Sequence, residues 1–217
     1  ASASFELLRL AQEVGVEKFF FASSVATYGE VDISPMPGDH PQWPQSMYGA
    51  TKVAVERLGV YFRQSHCLDF RCLRFPLVVS PFVPAGAVSA FPSHALKAAS
   101  AGEAFSFPVA ANTGVSTIFL EDVVDSIVDF TAAERSCLSQ YAYNLHAYYL
   151  SAGMVAEAAA RRFAGFDYRF EVVGAVENLI SSWPDVIDDS AARQDWGWNP
   201  AYDFEASVER MCELLGS

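Results

Sequence analysis

The 217 residues suit one compact domain, or one domain and a half, and their 52% hydrophobic and 14% aromatic content excludes a disordered chain. A formal net charge of −12 argues against nucleic acid and anionic lipid as partners, because both attract basic patches. The longest apolar run, Leu73 to Val79, is interrupted by Arg74 and Pro76 and is far too short to cross a membrane. In chain order, a helix over Phe5–Val14 stops at Gly15 and is followed by a strand at Lys18–Ala22. The proline-rich stretch from Ile33 to Pro44 reads as an ordered loop leading into a helix over Met47–Ser65. A strand at Asp69–Arg74 comes next, then a helix over Phe91–Ala101, a strand at Val115–Phe119 and a helix over Glu121–Ala133. The chain closes with strands at Ala142–Leu145 and Tyr168–Val172 and helices over Ser151–Phe163 and Phe204–Leu215. Strands that alternate with helices favour a parallel α/β arrangement. No charged n-region opens the chain, and Cys67, Cys72, Cys137 and Cys212 show no Cys-x-x-Cys spacing, so reduced thiols in a cytoplasmic protein are expected.

The pair Tyr48 and Lys52 lies one helical turn apart, which stacks the two side chains on one face. A phenol normally ionises near pH 10, and a neighbouring ammonium makes the phenolate easier to form. With 9 tyrosines in 217 residues and lysine only at positions 18, 52 and 97, roughly one such chain in ten would show a Tyr-x-x-x-Lys match by chance. The strand ending in Ser23-Ser24 adds a hydroxyl at the carboxyl edge of the sheet, where parallel α/β folds bind ligands. His40, His66, His94 and His146 have no metal-ligand spacing, and no Gly-x-Ser-x-Gly elbow exists, so no metal site and no serine hydrolase is expected.

Together the Ser24, Tyr48 and Lys52 arrangement resembles the extended short-chain dehydrogenase/reductases, the NAD-dependent epimerase/dehydratase superfamily. The stretch Ser23-Ser24-Val25-Ala26-Thr27-Tyr28-Gly29 is similar to the middle of that family, and Arg71-Cys-Leu-Arg74-Phe-Pro76-Leu-Val-Val-Ser-Pro81 to its next strand. The run Met47–Val53 followed by Glu56, and the tail Ser181-Ser-Trp183-Pro184 through Asp188-Asp189-Ser190, Arg193, Asp195, Trp196 and Trp198, are similar to the NAD-dependent L-threonine 3-dehydrogenase branch. The resemblance spans about Leu7 to Leu214.

The resemblance implies an α/β fold: a truncated doubly wound, Rossmann-like parallel sheet with a small C-terminal substrate lobe. Residues 1–80 would be the C-terminal part of the NAD-binding domain and 81–217 the substrate lobe, interleaved with the last sheet elements. Tyr48 would be the general base, Lys52 would lower its pKa and hold the nicotinamide ribose, and Ser24 would fix the substrate oxygen. Ser23, Pro76, Leu77 and Val78 would complete the cofactor side, while Ser89 and Trp183 would join Ser24 on the substrate. Asp188, Asp189, Arg193, Asp195, Trp196 and Trp198 would form a structural corner packing the final helix. The implied reaction is oxidation of the 3-hydroxyl of L-threonine or a related small 3-hydroxy acid. A nucleotide-sugar epimerase or dehydratase and a non-enzymatic binding remnant are the alternatives.

Two departures bear on that expectation. The glycine-rich turn that brings backbone close to a pyrophosphate needs closely spaced glycines. The 13 glycines here approach no closer than Gly29 to Gly38 and Gly165 to Gly174. The chain therefore reads as a family member lacking its N-terminal third, with weak or absent NAD binding and negligible threonine turnover alone, and a separate chain as one source of the missing segment. The Lys18–Ala22 strand would then lie at an exposed or unusually covered edge. In the substrate lobe, the segment Pro84–Phe91 keeps only Ser89 as a hydroxyl, and the segment around Phe107–Gly114 is neutral, which leaves few groups for an amino-acid carboxylate. A homodimer through the Met47–Ser65 helix is expected from Val53, Val55, Leu58, Val60, Tyr61 and Phe62.

Overall fold

The computed structural model describes residues 2–216. In order the elements are α1 (Ser2–Glu13), β1 (Lys18–Ser24), α2 (Met47–His66), β2 (Asp69–Phe75), β3 (Leu77–Val79), α3 (Phe91–Ser100), β4 (Phe105–Phe107) and β5 (Gly114–Phe119). They continue with α4 (Leu120–Ala132), β6 (Ala142–Asn144), β7 (Tyr148–Ser151), α5 (Ala152–Arg162), β8 (Tyr168–Phe170), α6 (Gly174–Ser181), α7 (Ser190–Trp196) and α8 (Phe204–Leu214). The fold is α/β and Rossmann-like. Its first sheet has the order β1-β2-β6 and is wholly parallel, with Lys18 opposite Asp69 and Ser24 opposite Phe75.

β2 is buried on both faces, as a central strand of a parallel sheet must be. Phe70 and Cys72 face a core built with Leu8 of α1 and Phe62 of α2, while Leu73 and Phe75 face the core that contains Phe130 of α4. The Arg71 guanidinium, also fully buried, donates to Asp69 and to the carbonyls of Phe130 (2.6 Å) and Ala133 (2.7 Å) at the end of α4. Carbonyls left open by the helix thereby gain a cationic donor. Among the described residues β1 has β2 as its single strand partner, so it stands at the sheet edge.

A second sheet, β3-β5-β7, and a two-stranded pair, β4-β8, complete the strands. Its β5 and β7 run antiparallel, with Gly114 opposite Ser151, so the parallel arrangement predicted from alternation does not hold there. β7 follows β6 after only Leu145–Ala147, leaving the first sheet by a turn with no room for a helical crossover. The chain changes sheet at Pro76, which lacks the N–H that would continue the β2 ladder. β6 nevertheless returns from the second half to finish the first sheet. β3, β4, β7, α6 and α7 are too short to show a period in sequence. Trp196 and Trp198 pack against Phe130 of α4, with Trp196 5.2 Å from that ring, and not on the final helix as the tail signature suggests. No helix of the described residues is long and apolar enough to cross a membrane, and none of their His, Cys, Asp and Glu side chains group as a metal site.

Candidate active site

The site forms where the end of β1 meets the start of α2. Ser24 stops the strand and caps the 3-10 turn Val25–Thr27, its Oγ accepting from the Ala26 N–H at 3.2 Å. Ser46 caps α2 in the same manner, accepting from Gly49 N–H at 3.0 Å. Gly49 lies against that turn so closely that a Cβ there would sit 2.1 Å from the Ala26 carbonyl oxygen. Only glycine allows the helix to begin this near to the strand.

A cavity of about 380 Å3 opens at this junction, lined by Ser24, Ser46, Tyr48, Pro76, Leu77, Val78, Ser89, Ala90, Leu179 and Trp183. Seven of the residues singled out from sequence, Ser24, Tyr48, Pro76, Leu77, Val78, Ser89 and Trp183, thus line one cavity, though they come from five separated segments. Ser46, Ala90 and Leu179 carry no chemical signature in sequence and join it through the fold alone.

Tyr48 is 55% exposed and lines the cavity. Lys52 stands behind it. Its ammonium donates to the Ala22 carbonyl at 2.6 Å and lies 5.4 Å from the Tyr48 ring centre and 4.8 Å from that of Phe21. Burial lowers the ammonium pKa, with Cys72 and Glu56 acting in the opposite direction. Ser23 points away from the cavity and donates to the Glu56 carboxylate at 2.5 Å. It is not a wall of the site, because neighbouring side chains on a strand face opposite ways.

Glu56 is the centre of a buried network that sequence reasoning left unused. Fully buried, it accepts two-pronged donation from Arg74, at 3.1 Å from Nε and 2.7 Å from Nη2, and a bond from Gln42 at 3.1 Å. Arg74 also donates to the Tyr28 hydroxyl at 2.8 Å, and Tyr28 to Asn144 at 2.6 Å. Desolvation pushes the Glu56 carboxyl up, but the Arg74 bonds and charge, with Ser23 and Gln42, outweigh it and hold the pKa below the ordinary carboxylate value. An arginine inside an apolar strand and a glutamate on a helix's inner face were the available signals. The tail acids are also satisfied: Asp189 pairs with Arg193 at 2.9 Å and accepts from the Trp198 indole at 2.9 Å, and Asp195 accepts from Tyr143 at 2.6 Å.

Residues 1–145 match the NAD dependent epimerase/dehydratase family. The chain belongs to that family. An uncharacterized epimerase/dehydratase of Staphylococcus saprophyticus is 32% identical over 96% of this chain and 66% of its own length. The mitochondrial L-threonine 3-dehydrogenase of Sus scrofa is 27% identical over 97% of this chain and 57% of its own length. The chain therefore spans less than two thirds of the length of these curated relatives. Among solved structures, the holo form of the GalE-like L-threonine dehydrogenase from Cupriavidus necator superposes with a TM-score of 0.92 at 27% identity, covering 98% of this chain and 70% of that one. L-threonine dehydrogenase from Clostridium difficile superposes with a TM-score of 0.91 at 29% identity, over 98% of this chain and 67% of that one.

Proposed function

We propose that this epimerase/dehydratase-family chain carries the catalytic portion of an NAD-dependent oxidoreductase that oxidises the 3-hydroxyl of L-threonine or a related small 3-hydroxy acid. The observation that carries the reading is the cavity of about 380 Å3 in which Ser24 and Tyr48 share a wall closed by Trp183. The residues present fit the nicotinamide end of NAD. Lys52 keeps ammonium donors beside Tyr48 for a ribose hydroxyl, and Pro76, Leu77 and Val78 offer backbone and a flat apolar surface to the carboxamide. NAD, when bound, supplies the hydride acceptor. Tyr48 takes the proton of the substrate hydroxyl as a general base, Ser24 donates to the same oxygen, and the Lys52 cation favours the phenolate.

Among the described residues no lysine or arginine lines the cavity, so a substrate carboxylate would rest on Ser89, Ser46 and backbone groups. That favours small 3-hydroxy compounds in which the anion contributes little to binding, threonine being the test compound. The experiment is a nicotinamide absorbance assay of the purified protein with L-threonine, at NAD concentrations raised to offset the weak affinity expected of this chain alone, with Tyr48→Phe as control. Turnover unaffected by Tyr48→Phe would remove the reading.

We also propose a homodimer through α1 and α2. Val55 and Phe62 of α2 are buried within the chain, so they cannot supply the interface expected of them. Tyr61 remains 53% exposed, α1 adds Leu7 and Leu10, one turn apart and each at least half exposed, and Val14 follows them in the turn just after the helix. Sedimentation of the wild type against Leu10→Glu tests this, with a monomer at micromolar concentration for both as the opposing result.

A further inference from the structure

Ser24 and Tyr48 sit on different elements, yet their hydroxyls must meet one substrate oxygen. Two restraints near the cavity, Gly49 against the Ala26 carbonyl and Lys52 on the Ala22 carbonyl, set the depth of α2 against β1. Neither decides which way the strand's side chains turn. That is decided deeper in the molecule. The Ser23 hydroxyl is held by Glu56, and a strand that turns Ser23 inward turns Ser24 outward to the cavity. Glu56 stands on the same helical face as Lys52 and Tyr48, one and two turns further on, so the carboxylate that grips β1 belongs to the helix carrying the base.

The same carboxylate reaches two more segments. Gln42 ties it to the loop that delivers Ser46 and Tyr48, and Arg74 ties it to β2, just before the Pro76–Val78 wall. Through Arg74 and Tyr28 the network also touches the 3-10 turn after Ser24 and the end of β6. Every segment that supplies the cofactor and oxygen side of the cavity is therefore attached to one buried ion pair. Packing alone does not demand such a pair, because apolar residues of similar volume frequently replace a buried ion pair without loss of stability.

We propose that Glu56 and Arg74 are positioning residues, which aim Ser24 at Tyr48 by holding Ser23, Gln42 and the Tyr28 hydroxyl in fixed register. The proposal rests on the oxidoreductase reading for its consequence but not for its geometry.

The test compares wild type, Ser23→Ala and the double variant Glu56→Leu/Arg74→Met. Thermal melting reports folding, and the ring-carbon signals of isotope-labelled tyrosine at fixed pH, assigned with Tyr48→Phe, report the surroundings of the Tyr48 ring without any cofactor. The double variant is expected to melt close to wild type. Its Tyr48 ring signals are expected to shift, and kcat to fall about tenfold or more with KM for NAD retained. Ser23→Ala, which keeps the ion pair, is expected to show the same split with a smaller fall in kcat. A folded double variant with the wild-type Tyr48 ring signals overturns the proposal, as does one with the wild-type kcat. If the double variant does not fold, Ser23→Ala decides by the same two readouts. If the wild type turns over no threonine even at NAD concentrations high enough to offset its weak affinity, the oxidoreductase reading fails while the Tyr48 ring signals still judge the positioning role.

Discussion

The Lys52 ammonium is anchored to the Ala22 carbonyl at 2.6 Å while it lies 5.4 Å from the centre of the Tyr48 ring. One side chain thus joins the helix to the strand and places a cation beside the phenol. Lys52→Met removes both effects, and loss of acid–base assistance is expected to lower kcat by about a hundredfold or more. Steady-state kinetics check this, and a Lys52→Met enzyme with the wild-type kcat would deny Lys52 its part.

Trp183 lines the cavity of about 380 Å3 and also a neighbouring one of about 450 Å3 that contains Asp32 and Asp185. Trp183→Ala is expected to join the two. The KM for threonine should rise, while bulkier 3-hydroxy compounds gain kcat/KM relative to it. Substrate profiling of the variant checks this; an unchanged ranking would show that Trp183 does not limit the space.

Glu56 has a folded-state pKa below its ordinary value, so it contributes stability that is present above the unfolded carboxylate pKa of about 4.3. That stability is lost as pH falls through the folded value. Urea unfolding between roughly pH 6 and pH 3 is expected to show a steeper acid loss for wild type than for Glu56→Gln, which has no proton to take up. Equal slopes would contradict the assignment.

Affinity for NAD is expected to be weak for this chain alone. None of its glycines are spaced for a pyrophosphate turn, and Lys52, Pro76, Leu77 and Val78 would serve only the nicotinamide end. Charge-assisted phosphate bonds are worth about 1.5–3 kcal/mol each, and each tenfold in affinity about 1.4 kcal/mol, so losing several costs orders of magnitude. Calorimetric titration with NAD measures this, and tight binding would reveal a phosphate site built by other means.

What the sequence by itself determined was local. The period of the apolar residues placed the long helices within a residue or two at most ends, and α1 three residues later than it begins. The spacing of Tyr48 and Lys52 put both on one helical face. Ser24, Ser89, Trp183 and the Pro76–Val78 wall were legible because their motifs are contiguous, and the fold brought them to one cavity. What only the tertiary structure decided was direction and partnership. Two adjacent serines look alike in sequence, and nothing local says that Ser23 turns to Glu56 while Ser24 turns to the cavity. The Glu56–Arg74 pair, the antiparallel meeting of β5 with β7, and the seating of Trp196 and Trp198 on α4 depend on segments far apart in the chain. Such contacts arise from burying surfaces against one another, and periodicity records that a surface is apolar without recording which other surface will cover it.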